Sequence, residues 1–276
     1  MFTWDDDTAP PDMPIGVMGA LRMVARGVPM ASVVFGGLLV LLLVRMVERP
    51  LCGLRRPVTP HITVGVCRVA LWILGLRVVA RGTPLRQGGA MVCNHVSWLD
   101  IFVLNSRRTL YFVSKSEVAS WPGIGWLARA TGTMFVKRDP REARTQTVQL
   151  EDRLLAGHRV LFFPEGTSTD GRRVLPFRTT LFAAFFSDRL RHATCVQAVS
   201  MIYHAPRGAD LRFYGWWGEQ SFERHLLGVL AARRHGHVEL IYHPPEQVDA
   251  FPNRKSLARH MEAQVRDAHS LLGSAP

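Results

Sequence analysis

An α/β fold, a mostly parallel sheet flanked by helices with an N-terminal helical membrane anchor, is predicted by three features of the sequence. From residue 90 onward, short apolar runs alternate with longer stretches of helical periodicity, the pattern of strands joined through helices into a covered sheet. Three of those runs end abruptly in polar clusters, and in such sheets ligands gather at the carboxyl ends of strands. Ahead of this region, residues 28–44 form 17 uncharged, mostly apolar positions. As helix they span about 25 Å, against a hydrocarbon core of about 30 Å.

Composition narrows the partners. The 276 residues suit one large domain with an appendage. The net charge of +12 is nearly all arginine, since lysine occurs only at 115, 137 and 255. A basic excess suits nucleic acid, an anionic membrane face or an acidic substrate. The charge allows a basic membrane or nucleic-acid-binding protein as the non-enzyme alternative, and the apolar anchor and the absence of a recognisable nucleic-acid-binding motif argue against nucleic acid. Cys52, Cys67, Cys93 and Cys195 form no close pair. They are expected to be free thiols in reducing surroundings, with no metal and no resident cofactor.

Taken in order, residues 1–14 are acidic and proline-bearing and are expected to form a disordered tail; their acidity is unlike the basic start of a signal peptide. Residues 15–82 are expected to be membrane-anchoring helices. The run at 28–44 is followed by Arg45, Arg49, Arg55 and Arg56, against Arg22 and Arg26 before it. That bias places the following domain on the cytoplasmic side of an inner membrane. A second apolar segment, 61–80, contains Arg68 and Arg77, which suits an interfacial or re-entrant helix with its arginines at the phosphates. Gly82, Pro84, Gly88 and Gly89 mark a break, so residues 83–276 are read as the functional domain, which removal of residues 1–80 should free from membranes. Strands are predicted at 90–93, 110–113, 133–136, 160–163, 195–203, 211–214 and 237–242. Helices are predicted at 99–105, 124–130, 141–156, 179–191 and 255–272.

The chemistry is expected where strands end. The run 90–93 leads into Asn94 and His95, and Asp100 follows. A histidine held by a carboxylate serves as a general base, the acid fixing the tautomer and balancing the imidazolium. Residues five apart lie about 140° around a helix axis, so His95 must precede the helix and Asp100 must sit in its first turn. The run 133–136 leads into Lys137 and Arg138, whose guanidinium fork suits phosphate or carboxylate. The run 160–163 leads into Pro164, Glu165, Gly166, Thr167 and Ser168. There Gly166 permits a tight turn, Glu165 can hold hydroxyls or position a base, and Thr167 and Ser168 offer donors to an anion. Parallel neighbouring strands would bring these turns into one pocket. The histidines at 204, 225, 235, 237 and 243 show no ligand spacing with acids and are read as surface or structural.

The order and spacing of these residues resemble the glycerolipid acyltransferase family, which includes 1-acylglycerol-3-phosphate acyltransferases. Asn94, His95 and Asp100 match its Asn-His-x4-Asp motif. Gly132, Phe135 and Arg138 match Gly-x-x-Phe-x-x-Arg, and 163–167 matches Phe-Pro-Glu-Gly-Thr. The stretch from Ser114 to Ala128 is similar to bacterial members that acylate lyso-ornithine lipid. Two departures stand out. Ser168 occupies a position where many phosphatidate-forming members carry arginine, leaving Arg138, Arg172, Arg173 or Arg178 to meet a phosphate. Ala198 replaces the usual proline of a fourth motif.

The resemblance implies a membrane-bound O-acyltransferase. It would move a fatty acyl group from an acyl carrier protein or coenzyme A thioester to a lysolipid hydroxyl by direct attack, with His95 as base and Asp100 orienting it. No Gly-x-Ser-x-Gly elbow offers a serine nucleophile, and backbone amides of the 165–167 turn are candidate oxyanion donors. The first expectation for the acceptor is 1-acyl-sn-glycerol-3-phosphate, giving phosphatidate; the alternative is lyso-ornithine lipid. Membrane lipid and the thioester carrier are the expected partners, with no nucleic acid and no metal ligands.

Overall fold

The computed structural model describes residues 4–5, 9–137, 139 and 141–273. Two helices come first. α1 (Val17–Cys52) is long and apolar enough to cross a membrane, with almost none of its apolar stretch buried in the protein. α2 (Thr59–Leu74) packs against it and ends at Gly75. The α/β body follows as β1 (Arg77–Arg81), β2 (Gly89–Cys93), α3 (Leu99–Asn105), β3 (Tyr111–Lys115), α4 (Ile124–Thr131), β4 (Met134–Val136), α5 (Ala143–Leu155), β5 (Arg159–Phe162), β6 (Cys195–His204), α6 (Phe222–Ala231), β7 (His237–Tyr242), β8 (Glu246–Gln247) and α7 (Arg254–Gly273).

Seven strands form one sheet in the order β1-β7-β6-β2-β5-β3-β4, with β8 added on β6. β2 lies between β5 and β6, parallel to both, and β3 continues the parallel set to β4. The β6–β7 and β6–β8 pairs are antiparallel. β2, β5 and β6 carry runs of fully buried residues, as strands covered on both faces must. One core, including Met91, Leu99, Leu104 and Leu240, fills the face under α2, α3 and α6. A second, including Phe162, Phe182, Phe185 and Met261, fills the face under α7 and the 3-10 turns Thr179–Phe186.

Several expectations are corrected here. The segment 61–80 is not one helix, and one side of α2 is packed on the body while Val69 and Trp72 stay exposed. α2 places Leu71 and Leu74 in the core, and Arg68 donates its Nε–H to the Ser106 carbonyl at 2.8 Å. Residues 77–81 then leave the helix and pair with β7, so the sheet begins before the break at Gly82. Residues 211–214 are a turn rather than a strand. The 179–191 segment is helical only as 3-10 turns, and α6 is a helix not anticipated. Trp217 is core, 1% exposed. Within the expected disordered tail, Trp4 packs on the body, its indole 6.4 Å from the ring of Trp217.

α1 is tied to the body near both ends. Arg22 and Arg26 donate to the carbonyls of Ala231, Leu230 and Ala232, at the end of α6. At the other end, Glu48 accepts from the Val58 and Thr59 amides and from Thr59 Oγ1, and Arg56 donates to the Ala130 carbonyl. Gly132, at φ 86°, ends α4 in a left-handed turn, and a side chain there would also meet Arg56 Nη1 at 2.9 Å.

Candidate active site

The parallel pairing of β2 with β5 brings Asn94–His95 and Pro164–Ser168 to the same end of neighbouring strands. β4 ends three strand spacings from β2, about 14 Å across. Arg138, which follows it, lies outside the described residues, so its place in the site stays an expectation.

His95 sits in the turn and Asp100 in the first turn of α3, the arrangement their spacing requires. His95 Nδ1 lies 2.7 Å from Asp100 Oδ2. A carboxylate can only accept there, so Nδ1 carries the proton and Nε2 presents its lone pair. The imidazole is stacked on Phe163 at 4.0 Å and its side chain stays 20% exposed, while Asp100 is fully buried. Asp100 receives three further donors: the amides of Val96 and Ser97 at Oδ2, and Tyr203 Oη at Oδ1, 2.8 Å away. Burial, with Asp100 beside it, holds the Tyr203 hydroxyl well above its ordinary pKa, so it remains a donor. Burial likewise holds the Cys93 thiol far above its usual range, which leaves no thiolate nucleophile at the strand end.

The other predicted residues divide into those that line the turn and those that brace it. Asn94 is buried and clamps β6, accepting from the Met201 amide and donating to the Met201 carbonyl, both at 2.8 Å. Glu165 is 2% exposed, and each of its oxygens accepts one amide at 2.6 Å, from His95 and from Leu175. It joins two loops and holds the backbone of His95 in place. Burial pushes its carboxyl up to about 8, against the pull of those two amides.

Gly166, at φ 74°, takes the left-handed turn, and a Cβ there would meet Arg178 Nε at 2.7 Å. Its N–H donates to the Phe163 carbonyl, so it is not an oxyanion donor. Thr167 Oγ1 accepts the Trp4 amide at 3.2 Å. Ser168 Oγ donates to the Trp216 carbonyl at 2.5 Å and the residue is 8% exposed, so it turns away from any anion. The Thr169 amide donates to His95 O and the Trp216 amide to Val96 O, stitching three loops into one rim. Of the arginines proposed for a phosphate, Arg173 pairs with Asp170 and lies 4.8 Å over the Trp4 ring, and Arg178 donates to Glu165 O.

Tyr203 and Trp4 were not found from sequence. Tyr203 stands 103 positions from Asp100, inside a strand that reads as plain core. Phe163 opens the Phe-Pro-Glu-Gly-Thr stretch, but its stacking on His95 has no local signature. Among the described residues, the one group able to hold a metal ion is His204, His237 and Glu239, whose ligand atoms lie within 4.8 Å of one another. It stands at the β6–β7 junction, where Arg81 already pairs with Glu239.

Comparison with known proteins identifies the family and the fold. A protein-family model described as Acyltransferase matches residues 77–198. The chain is 55% identical over 263 residues to the lyso-ornithine lipid O-acyltransferase of Rhodobacter capsulatus, covering 95% of each chain. It is 34% identical over 149 residues to the 1-acyl-sn-glycerol-3-phosphate acyltransferase of Neisseria gonorrhoeae, covering 53% of this chain and 56% of that one. The fold matches the crystal structure of the 1-acyl-sn-glycerophosphate acyltransferase of Thermotoga maritima with a TM-score of 0.66, at 19% identity, over 94% of this chain and 98% of that one.

Proposed function

Starting from the fact that the chain belongs to the acyltransferase family and moves an acyl group to a lysolipid, we propose that its acceptor is lyso-ornithine lipid and that His95 is the general base. The observation that carries the acceptor is the full-length likeness to a lyso-ornithine lipid O-acyltransferase, against a likeness over about half the chain to a phosphatidate-forming relative. The comparisons thus favour the alternative acceptor over 1-acyl-sn-glycerol-3-phosphate, the first expectation from sequence. Ser168 supports this reading. An ornithine head carries a carboxylate and an ammonium in place of a phosphate, and the residue after Glu165-Gly166-Thr167 is a buried serine bonded to the Trp216 carbonyl, with no arginine there to serve a phosphate.

In the proposed reaction, the acceptor hydroxyl gives its proton to His95 Nε2 as its oxygen attacks the thioester carbonyl. The tetrahedral intermediate collapses by breaking the C–S bond, and the departing sulfur takes the proton back from Nε2. Asp100 balances the imidazolium in between, held in place by its four donors. Phe163 keeps the ring from turning. The donor is an acyl carrier protein or coenzyme A thioester, and Arg138 remains a proposed substrate ligand. The apolar α1 supports membrane association, and the arginines after its apolar run favour an inner-membrane location with the site facing the cytoplasm.

Membrane-embedded protein incubated with an acyl thioester and each acceptor in turn tests the proposal. Product from lyso-ornithine lipid that disappears in His95→Ala is expected. Product from 1-acyl-sn-glycerol-3-phosphate alone would overturn the acceptor, and full activity in His95→Ala would overturn the base.

A further inference from the structure

A cleft of 610 Å³ lies between the second half of α1 and α4, and none of its lining comes from the loops around His95 or Glu165. Its α1 wall is a single helical stripe, Leu38, Leu42, Arg45 and Arg49, spaced by four, three and four residues. The wall therefore changes from apolar to cationic along about 16 Å of helix. α4 repeats the polarity: Trp126, 61% exposed, and Arg129 line the same cleft. Arg56 joins the cationic group from the α1–α2 turn.

The arginines are positioned: Arg45 pairs with Glu48 at 3.2 Å, and among the described residues no ion pair engages Arg49, Arg56 or Arg129. Arg45 donates to Gly53 O, Arg56 to Ala130 O and Arg129 to Ala119 O. Each guanidinium carries five N–H donors in a fork that suits phosphate oxygens. Glu48, the acid on this stretch of α1, is already engaged by Thr59, Val58 and Arg45. Burial and then the neighbouring charge of Arg45 push the Arg56 guanidinium down from its ordinary value, as happens when like charges gather.

We propose that this cleft binds one anionic diacyl phospholipid of the surrounding bilayer as a resident lipid that is not a substrate. Its phosphate diester sits among Arg45, Arg49, Arg56 and Arg129, and an acyl chain runs along Leu38, Leu42 and Trp126. Four guanidinium groups select an anionic head, because a zwitterionic head brings its own cation into the cluster. The bound lipid bridges α1 and α4 and so joins the anchor to the catalytic body.

The test uses the full-length chain in neutral detergent, titrated with phosphatidylglycerol and, separately, phosphatidylcholine, with bound lipid counted by native mass spectrometry. One phosphatidylglycerol per chain is expected, with phosphatidylcholine bound much more weakly. The double variant Arg49→Gln, Arg129→Gln should bind about thirtyfold more weakly, the effect of two cations facing lipid heads. A control pair at exposed positions elsewhere, Arg77→Gln with Arg86→Gln, should bind as the parent does. Because Arg129 also holds a carbonyl, Arg49→Glu at an exposed position provides a second variant, expected to lose the lipid at an unchanged melting temperature. Undiminished binding in these variants, or equal binding of phosphatidylcholine, overturns the proposal. So does displacement by inorganic phosphate, which would make the acyl half irrelevant, or one-for-one displacement by lyso-ornithine lipid, which would make the cleft the acceptor site.

Discussion

Asp100 accepts from four donors, and only one of them is His95. Asp100→Asn can keep that network: its carbonyl oxygen accepts from the two amides and Nδ1, while its amide donates to Tyr203 Oη. What it loses is the charge opposite an imidazolium. We expect a folded protein whose kcat falls by about 10²–10⁴-fold, measured beside an unchanged melting temperature. Glu165 makes a different prediction. Its folded carboxyl, at about 8, lies above the ordinary 4.5, so the folded chain holds a proton that the unfolded chain releases. The associated stability is complete below pH 4.5 and is lost as pH rises towards about 8. Glu165→Gln should flatten that slope in urea titrations at pH about 5 and about 8. It should also cost about 1–3 kcal/mol, because its amide nitrogen faces a backbone N–H that then lacks an acceptor. The His95–Asp100 pair was legible because five residues separate its members. The partners of Glu165 and the hydroxyl of Tyr203 were not, since contacts across 70 and 103 positions leave no local pattern.

At the scale of elements, periodicity located the parallel strands because burial on both faces makes them plain apolar runs. It misread α2 and β1 as one segment. Apolar residues that face a sheet and apolar residues that face lipid look alike in sequence, and only Gly75 marked the change of direction. Leu74 decides between the two readings. At 1% exposure in the main core, its replacement by alanine should cost about 2–5 kcal/mol, seen as a lower denaturation midpoint; a lipid-facing leucine would show almost none. α6 did carry a readable start, Ser221, whose side chain accepts from the Arg224 amide. The aromatic cluster just before it obscured that signal. The helix also places His225, whose ring burial pushes down to about 4, to accept from Trp98 Nε1 beside the turn that holds His95.

For the whole molecule, the helices before Gly82 prove inseparable from the sheet. Removing residues 1–80 deletes most of β1 and uncovers the core face that Leu71, Leu74 and Leu76 close, with Met23 and Met30 packed on it. The truncated chain should therefore aggregate and lose its cooperative unfolding transition, in place of the soluble domain expected from sequence; sedimentation with circular dichroism checks this. The same attachment governs how the protein floats. α1 is fastened to the body through Arg22 and Arg26 at one end and through Glu48 at the other. In the proposed membrane-bound state it acts as a keel and not as a tether: the vessel has a set draught, and the imidazole of His95 rides at one height above the oily layer. On that proposal a lysolipid reaches the waterline from its own leaflet, whereas a hydroxyl buried deeper or lifted clear of the surface passes the proposed base by.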